Sequence, residues 1–328
     1  MLATADGGET WREMTLPESD PGFTQAAFFL DAKMGWVGVG YPQDDSGSGE
    51  QPVAVMSTRD GGQVWQVQEL EVQSPFGDPG HIIDVWFLDA QHGWVSLDFT
   101  ATMNSSTGEL LRTADGGRTW EQSELPNAGP ISFNSPAIGW TIGNFNNGAR
   151  KLLYRTLDGG ETWQPQTVLA EPVDDGIQYN DYLLPVFFDE RKGILPVLVS
   201  DAGYELTGVA FYRTVDAGYT WSPVSTLLDP VTSLEWGQAA VEILDSTTWI
   251  VASDEGVLYR TVDGGDTWQQ VNQAERQPKL SFWGLSFTSQ ATGWTLAYED
   301  CQGGVIACLQ LYRTDDGGQH WAVLPVKE

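Results

Sequence analysis

Two short patterns of apolar and polar residues alternate along this chain, and both are typical of β-hairpins. The first places an apolar residue, Tyr, Arg and Thr in a row, as in Leu153–Thr156, before a turn that reads Thr-x-Asp-(Gly/Ala)-Gly-x-x-Trp. β-Branched and aromatic residues favour strands, and Asp-Gly-Gly is strong turn chemistry. The turn occurs seven times, beginning at Thr4, Thr58, Thr113, Thr156, Thr214, Thr261 and Thr314.

The second pattern joins a phenylalanine to a Gly-Trp pair. Phe29–Val37 reads Phe-Leu-Asp-Ala-Lys-Met-Gly-Trp-Val, and a close copy spans Phe87–Val95. Weaker copies span residues 133–140, 187–194, 243–249 and 287–294. This pattern predicts a second hairpin in each repeat, so that one repeat has four antiparallel strands.

The spacing of the turns predicts the fold. Successive turns are 54, 55, 43, 58, 47 and 53 residues apart. Four-stranded units at this period, without helical periodicity, indicate an all-β fold, a β-propeller that forms a single domain over residues 1–328. We expect a half blade at 1–13 and complete blades at 24–67, 82–122, 130–165, 183–223, 237–270 and 281–324.

The number of blades has two interpretations. Seven turns but only six inner hairpins favour a seven-fold propeller with six complete blades plus an N-terminal half blade. A six-bladed propeller with an extra hairpin is the alternative. Because Met1-Leu2-Ala3 leads directly into the first turn, we expect a leader and the first half of a blade to be missing from this sequence.

The repeated turn residues are expected to be structural. The Asp carboxylate can accept backbone N–H bonds within the turn, glycine supplies positive φ angles, and the Thr hydroxyl can bond across the turn. The Trp is expected to pack back over the turn. The residues concerned are Asp6, Asp60, Asp115, Asp158, Asp216, Asp263 and Asp316, with Trp11, Trp65, Trp120, Trp163, Trp221, Trp268 and Trp321.

Charge limits the possible partners. The chain has 45 acidic and 16 basic residues, a net charge of −29. Nucleic acid is not an expected partner, because phosphate contacts need clustered Lys and Arg. No apolar run approaches the roughly 18 residues of a membrane span, so membrane insertion is not expected. The charge favours solubility, and a cationic partner or bound Ca²⁺ is a more specific alternative. No other cofactor is expected. The protein is expected to be monomeric.

Cys301 and Cys308 are the two cysteines of the chain. They flank a short segment between two predicted strands of one hairpin, where a disulfide is geometrically easy. Such a bond would place the protein in an oxidising compartment, whereas two free thiols are the alternative. We expect an extracytoplasmic protein, periplasmic or secreted, whose signal peptide is missing or removed.

The Thr-x-Asp-Gly-Gly-x-Thr-Trp turn resembles the Asp-box, or BNR repeat, of sialidases, xyloglucanases, sortilin-type receptors and photosystem II assembly and stability factors. The pairing of this turn with the Phe…Gly-Trp hairpin is most similar to the last group. That resemblance covers nearly the whole chain and implies a seven-bladed propeller exported to the lumen or periplasm. The resemblance also implies an arginine-rich docking surface, but here only Arg150, Arg191 and Arg276 lie away from the Asp boxes, and they are scattered.

Catalysis is not expected. Sialidases hold a substrate carboxylate with three arginines, and xyloglucanases of this type place two aspartates between two propellers; this chain has neither arrangement. Acidic pairs such as Asp44-Asp45 are interpreted as solvated loop residues. His81, His92 and His320 are far apart, so neither metal-ligand spacing nor a nucleophile–base pair is supported.

Loop lengths indicate where a partner would bind. The hairpin turns on one face are short, whereas the long, irregular loops lie on the other face and contain aromatic and acidic residues. The candidate binding residues are Tyr41, Asp44, Phe99, Phe145, Asp174, Asp175, Tyr179, Tyr182, Tyr204, Trp236 and Tyr298. Each ring has the alternative role of anchoring its own loop. We therefore expect a non-catalytic scaffold that binds a protein partner; a carbohydrate-binding or glycoside-hydrolase propeller, sialidase-like or xyloglucanase-like, is the alternative.

Overall fold

The computed structural model describes residues 1–14, 23–40, 53–73, 80–102, 105–144, 151–166, 168, 179–201, 206–228, 241–253, 256–271, 281–299 and 308–325. These residues form one two-stranded sheet, five four-stranded sheets and one five-stranded sheet. The chain is an all-β propeller, and the six larger sheets are its antiparallel blades. The described residues contain no helix that could span a membrane.

The chain divides into two compact units, of which the first comprises Met1–Ala3 and Arg12–Thr167. Its N-terminal sheet pairs β1 (Leu2–Ala3) with β2 (Arg12–Glu13). Blade 1 consists of β3 (Phe23–Phe29), β4 (Gly35–Gly40), β5 (Val53–Thr58) and β6 (Gln66–Leu70). Blade 2 consists of β7 (His81–Phe87), β8 (Gly93–Thr102), β9 (Ser105–Thr113) and β10 (Glu121–Leu125). Blade 3 consists of β11 (Ile131–Phe133), β12 (Gly139–Asn144), β13 (Lys151–Thr156) and β14 (Gln164–Gln166).

The second unit comprises Thr4–Trp11 and Val168–Glu328. Blade 4 consists of β15 (Tyr179–Tyr182), β16 (Val186–Phe187), β17 (Gly193–Ser200), β18 (Leu206–Thr214) and β19 (Ser222–Leu228). Blade 5 consists of β20 (Val241–Ile243), β21 (Trp249–Ala252), β22 (Leu258–Thr261) and β23 (Gln269–Gln270). Blade 6 consists of β24 (Ser281–Phe287), β25 (Gly293–Glu299), β26 (Cys308–Thr314) and β27 (Ala322–Val323).

Six blades and a separate two-stranded sheet correspond to the six-bladed alternative of the sequence analysis. Blade 4 has five strands because its inner strand is interrupted between β15 and β16, both of which pair with β17. Pro185 lies in this interruption. Proline has no N–H to donate to the neighbouring strand, so it separates the two segments.

The Phe…Gly-Trp pattern has a steric origin. In blade 2, Phe87 lies opposite Gly93, and a Cβ on Gly93 would overlap the Phe87 ring. The same overlap would occur between Gly35 and Phe29 in blade 1, and between Gly139 and Phe133 in blade 3. Glycine is therefore required wherever the phenylalanine ring folds across the neighbouring strand.

The tryptophan after this glycine joins one blade to the next. Trp36 of blade 1 stacks on Phe87 of blade 2 with ring centroids 3.7 Å apart. Trp94 of blade 2 stacks in the same way on Phe133 of blade 3, at 3.8 Å. The edge of each phenylalanine ring meets the Asp-box Trp of its own blade, as with Trp120 and Phe87. Large aromatic surfaces buried in this way dominate packing energy.

Blade 5 departs from this pattern. Ile243 replaces the phenylalanine, and Trp249 lies opposite Ile243, at the position of glycine in blade 2. Shifting by one residue turns a strand side chain to the other face of its sheet. Trp249 consequently stacks on Phe211 of the preceding blade 4, at 4.8 Å, rather than pointing to the following blade.

We expect Trp94→Ala to destabilise the protein by about 3–5 kcal/mol, because it removes a fully buried ring from the contact between blades 2 and 3. Trp94→Phe is the matched control: it can still stack on Phe133 but loses the bond that Trp94 Nε1–H donates to the Gly159 carbonyl, 3.0 Å away. We expect about 1 kcal/mol for the control. Urea denaturation measures the free energy of unfolding of both variants. Equal losses of stability in Trp94→Ala and Trp94→Phe would contradict the stacking of Trp94 on Phe133 as the main contribution.

Candidate functional site

Each Asp-box turn is held by its own aspartate and threonine. In the third turn, the N–H groups of Arg118 and Thr119 donate to Asp115 Oδ1 at 2.9 and 3.0 Å, and Thr119 Oγ1 donates to Oδ2 at 2.7 Å. Thr113 Oγ1 donates to Asp115 Oδ1 at 2.9 Å and accepts the Gly117 N–H at 2.9 Å. One carboxylate and one hydroxyl therefore satisfy most polar groups of the turn.

Three of these bonds recur in every other Asp-box: the Thr hydroxyl to the Asp, the Gly N–H to the Thr hydroxyl, and the N–H four residues after the Asp to its Oδ1. Each Thr hydroxyl donates to the Asp two residues later, at 2.7–2.9 Å, in the turns of Asp6, Asp60, Asp158, Asp216, Asp263 and Asp316. The residue at the second Thr position varies: Val64 provides only its N–H to Asp60, and His320 contacts Asp316 Oδ2 through Nδ1 at 2.6 Å. His92 similarly contacts Asp89 in an inner turn, at 2.8 Å.

These hydrogen bonds favour the charged carboxylate. Bonds from the N–H and hydroxyl of Thr119 hold the pKa of Asp115 at about 2, and bonds from Thr267 hold that of Asp263 at about 2. A carboxyl whose pKa falls on folding stabilises the fold above its unfolded pKa, near 3.9. This stabilisation is lost as the pH falls towards about 2, the folded pKa of both groups.

Glycine is needed in the turn for its backbone conformation. Gly116 and Gly117 both have positive φ, at 78° and 91°. The first of them also donates its N–H to the Gln91 carbonyl in the inner turn of the same blade, at 2.9 Å. Blade 4 places Ala217 at this position with φ of 61°. The two turns of each blade are thus bonded together at one end of the sheet.

The Asp-box tryptophans cover these turns. Trp120 Nε1–H donates to the Gly117 carbonyl at 3.2 Å. Trp163 and Trp321 meet Phe133 and Phe287 edge-on, at 6.2 and 6.0 Å. Trp65 is buried against Met14 and the first blade. These rings lie between turn and core, in positions where they stabilise a blade.

Repeated arginines connect consecutive repeats, a role that the sequence analysis did not assign. Arg112 Nη1 donates to the Asp158 carbonyl in the next Asp-box at 3.1 Å, and its Nη2 contacts Glu121 and Glu161 at 2.6 and 3.2 Å. Arg313 Nη1 donates to the Gly7 carbonyl of the first Asp-box, at 3.0 Å. Their recurrence immediately before the turn threonine was the available signal.

Two other arginines also donate to carbonyls of turns. Arg12 Nη2 donates to the Gly61 carbonyl at 2.6 Å, and Arg260 Nη1 donates to the Gln290 carbonyl at 3.0 Å. A guanidinium can satisfy carbonyl oxygens that strand pairing leaves free at a turn. These arginines therefore serve the fold and are not arranged to bind a carboxylate substrate.

The sequence analysis did not identify two partly buried carboxylates that lie between blades. Asp84 Oδ2 accepts the N–H of Ile131 from the next blade at 3.0 Å, and Oδ1 accepts the N–H of Val85 at 2.8 Å. Burial raises the pKa of Asp84 to about 6. Glu242 accepts the N–H of Phe287 from its next blade at 3.3 Å, and burial raises its pKa too. Both carboxylates tether one inner strand to the next.

An acidic pair lies on the outer strands of blade 2. Glu109 and Glu124 are directly opposite each other across β9 and β10. Burial raises the pKa of Glu109, and the negative charge of Glu124 raises it further, although Gln122 Nε2 donates to Glu109 at 3.2 Å. Like charges in this arrangement are destabilising.

The predicted binding residues fall into three groups. Phe99 and Tyr182 are buried, with 0% and 7% exposure. The prediction that these rings contact a ligand is therefore corrected: they are core residues that anchor their own blades. Tyr179 and Tyr298 lie on strands β15 and β25, but the structure does not describe their side chains. The rest, Tyr41, Asp44, Phe145, Asp174, Asp175, Tyr204 and Trp236, lie outside the described residues.

The structure describes the cysteines only in part. Cys301 lies outside the described residues; Cys308 begins β26, but its side chain is not described. No group of three or more His, Cys, Asp or Glu side chains in the described ranges is arranged to hold a metal ion.

The comparisons with known proteins agree on the fold. The family model of Sortilin-Vps10 ("Sortilin, neurotensin receptor 3") matches residues 209–327, about a third of the chain. A search of curated proteins found no significant match. YCF48 from Cyanidioschyzon merolae is 16% identical and superposes with a TM-score of 0.57, covering 96% of this chain and 88% of that one.

Polysaccharide-active enzymes superpose to a similar extent. A PL25 ulvan lyase is 13% identical with a TM-score of 0.51, covering 90% of this chain and 82% of its own. The GH93 α-L-arabinofuranosidase of Fusarium graminearum, in complex with arabinobiose, is 13% identical with a TM-score of 0.50, covering 88% and 92%. At these identities the comparisons establish the propeller architecture, which binding proteins and enzymes share.

We expect Asp84→Asn to remove a pH dependence of stability. The folded pKa of Asp84, about 6, lies above its pKa in the unfolded chain. At pH values between these two, the folded state therefore binds more protons than the unfolded state. Wild-type stability should therefore fall as the pH rises from about 4 to about 6. Urea midpoints at pH 4.5 and 7 measure the effect. Equal pH differences in wild type and variant would contradict the assignment.

Proposed function

We propose that this chain is a non-catalytic, exported propeller that binds a protein partner through the face of its long loops. The observation that carries the proposal is that the repeated charged side chains bind backbone groups of the turns. Asp-box carboxylates accept N–H bonds of their own turns, and repeated arginines donate to carbonyls of neighbouring turns. The Asp-box carboxylates and these arginines are therefore committed to the scaffold, and the loops are left to provide function.

Asp84 is the residue that a glycosidase interpretation would choose. A carboxyl with a raised pKa is typical of a general acid in sugar hydrolysis. However, both oxygens of Asp84 accept backbone N–H bonds, at 2.8 and 3.0 Å, and the residue is partly buried between two blades. A substrate oxygen would have to displace the Ile131 N–H to reach it. The geometry supports a structural role.

The excess of acid supports a cationic protein surface as the partner. Forty-five acidic residues face 16 basic ones, of which Arg12, Arg112, Arg260 and Arg313 are bound to backbone carbonyls. Complementary charge raises association rates and selects partners. The resemblance of the repeats to photosystem II assembly and stability factors suggests an assembly role, with a partner surface opposite in charge to the acidic loops.

Glycan binding is the second candidate. It is favoured by the superposition with a polysaccharide lyase and an arabinofuranosidase over about nine-tenths of this chain. Aromatic rings suit both kinds of ligand, because they present an apolar face beside polar groups. The two candidates differ in their response to salt: a contact between exposed charges is screened at high ionic strength, whereas ring–sugar stacking is nearly unaffected.

We expect covalent cross-linking in an extract of the source organism to capture a discrete protein. The Asp174→Asn/Asp175→Asn variant should capture less of it. Loss of two loop charges should reduce capture about five-fold, as should raising salt from roughly 0.1 to 0.5 M, because exposed charge pairs are screened. The control Glu9→Gln/Asp266→Asn removes two exposed charges from Asp-box turns. Capture unaffected by the loop variant, or polysaccharide cleavage that Asp84→Asn abolishes, would contradict the proposal.

Export is tested separately through the cysteines. Protein purified from its native compartment should react with a thiol-alkylating reagent only after reduction, because Cys301 and Cys308 are proposed to form a disulfide. Intact-mass spectrometry counts the alkyl groups added before and after reduction. The Cys301→Ser/Cys308→Ser variant is the blank for the reagent. Two thiols that react without reduction would argue against an oxidising compartment.

A further inference from the structure

The bond between the inner strands of blades 1 and 2 differs from the bonds that Asp84 and Glu242 make. Those two residues accept an N–H of the next blade with a carboxylate. Between blades 1 and 2 the acceptor is an amide: Gln25 Oε1 of β3 accepts the N–H of Ile82 in β7 at 2.8 Å. An amide has a donor as well as an acceptor, so its second group also needs a partner.

A β-bulge directs Gln25 toward blade 2. The pairing of β3 with β4 shifts between Thr24 and Ala26, so that Gln25 is the extra residue of the bulge. Its amide packs on Gly40 of β4, where a Cβ would overlap the amide group. Bulges commonly re-aim a side chain in this way. The inner hairpin of blade 1 therefore holds the Gln25 amide in place.

The other end of the Gln25 amide contacts His81, the first residue of β7. Gln25 Nε2 lies 2.7 Å from His81 Nδ1. Because the Ile82 N–H can only donate, the amide atom that faces it must be the oxygen. The atom that faces His81 is then the amide nitrogen, which can only donate. His81 Nδ1 is consequently the acceptor, and the imidazole is the neutral form with its proton on Nε2.

A proton on His81 Nδ1 is incompatible with this arrangement, because two donors would then face each other. Turning the amide over would present its oxygen to His81 but would place its nitrogen against the N–H of Ile82. One amide therefore cannot satisfy both groups once His81 is charged. Histidine is the side chain that ordinarily changes charge between about pH 5 and about pH 8, and His81 is exposed to solvent.

The charged groups near His81 offer the protonated ring a different partner. Asp98 of β8 is directly opposite His81 in the strand pair, a position in which side chains interact. Asp84, three residues along β7, accepts the N–H of Ile131. Strands β3 and β4 contain no titratable side chain. An imidazolium is thus drawn away from Gln25 and toward the carboxylate of Asp98.

We propose that Gln25 and His81 form a proton-sensitive joint between blades 1 and 2, which is closed while His81 is neutral and opens when Nδ1 gains a proton. Strands β3 and β7 begin near this joint, whereas their other ends lead into the inner turns that bond to the Asp-boxes, as Gly116 does to Gln91. Acidification therefore loosens the two blades at the end away from their Asp-boxes. The joint does not depend on which partner the protein binds.

Amide exchange of Ile82 measures the state of the joint, because its N–H is bonded to Gln25. The reference is the N–H of Gly61, which donates to the Lys33 carbonyl at 2.9 Å at the Asp-box end of blade 1. Both rates are corrected for the pH dependence of unstructured peptide. From about pH 7.5 to about pH 5.5, exchange of Ile82 relative to Gly61 should rise about three-fold, because an amide anchored at one end holds its position less firmly.

Two variants separate the joint from other titrating groups. In His81→Asn the side-chain oxygen can still accept from Gln25 but takes up no proton in this range, so Ile82 exchange should not respond to pH. Asp84, whose pKa is about 6, is retained in this variant and is thereby controlled. In Gln25→Glu one carboxylate accepts both the Ile82 N–H and the protonated Nδ1–H of His81, so acidification should slow Ile82 exchange about three-fold.

The wild-type measurements decide the proposal even if a variant does not fold. Imidazole nitrogen shifts at about pH 7.5 should show the proton of His81 on Nε2. A proton on Nδ1, or wild-type Ile82 exchange that does not respond to pH, would overturn the proposal. An equal response in His81→Asn would also overturn it, by assigning the effect to another group such as Asp84. An equal rise at Gly61 would show instead that the whole blade loses stability.

Discussion

Backbone polar groups at exposed turns are the constraint on which this propeller depends. Every blade ends in two adjacent turns whose N–H and C=O groups cannot all pair with one another. An unsatisfied group of this kind costs free energy comparable to a lost hydrogen bond. The Asp-box solves the problem with one carboxylate and one hydroxyl, and Arg112 and Arg313 supply donors to carbonyls of a neighbouring turn. The motif is repeated because each blade has the same polar groups to satisfy at its turns.

The same logic explains where negative charge is stabilising and where it is costly. Asp115 is partly exposed, and bonds from the N–H and hydroxyl of Thr119 hold its pKa at about 2, so its charge supports the fold at neutral pH. Asp84 also accepts two N–H bonds, but its carboxyl lies between inner strands, where loss of water raises its pKa to about 6. Desolvation outweighs hydrogen bonding there. A raised pKa in this chain therefore reports burial in the scaffold, and it does not by itself identify a catalytic acid.

Features that are local in sequence were predictable. The bonds of the Asp-box join residues two to four positions apart, so composition and spacing were sufficient to infer them. The contacts between repeats were harder: Arg112 reaches a carbonyl 46 residues away, and nothing in its own hairpin indicates this. Trp249 could not be placed because its direction depends on Ile243 across the strand pair. Phe99 and Tyr182 had been assigned to a binding face, although aromatic residues near long loops also serve as anchors.

Amide hydrogen exchange at the Asp-box turns tests the central claim most directly. The N–H groups of Gly117 and Thr119 lie in an exposed turn and are bonded to Thr113 Oγ1 and Asp115 Oδ1. If these side chains hold the turn, both amides exchange far more slowly than unstructured peptide, to a degree comparable with the strands that flank them. Exchange at the rate of an unstructured loop would contradict the account, because the turn would then be a consequence of the blade and not one of its supports.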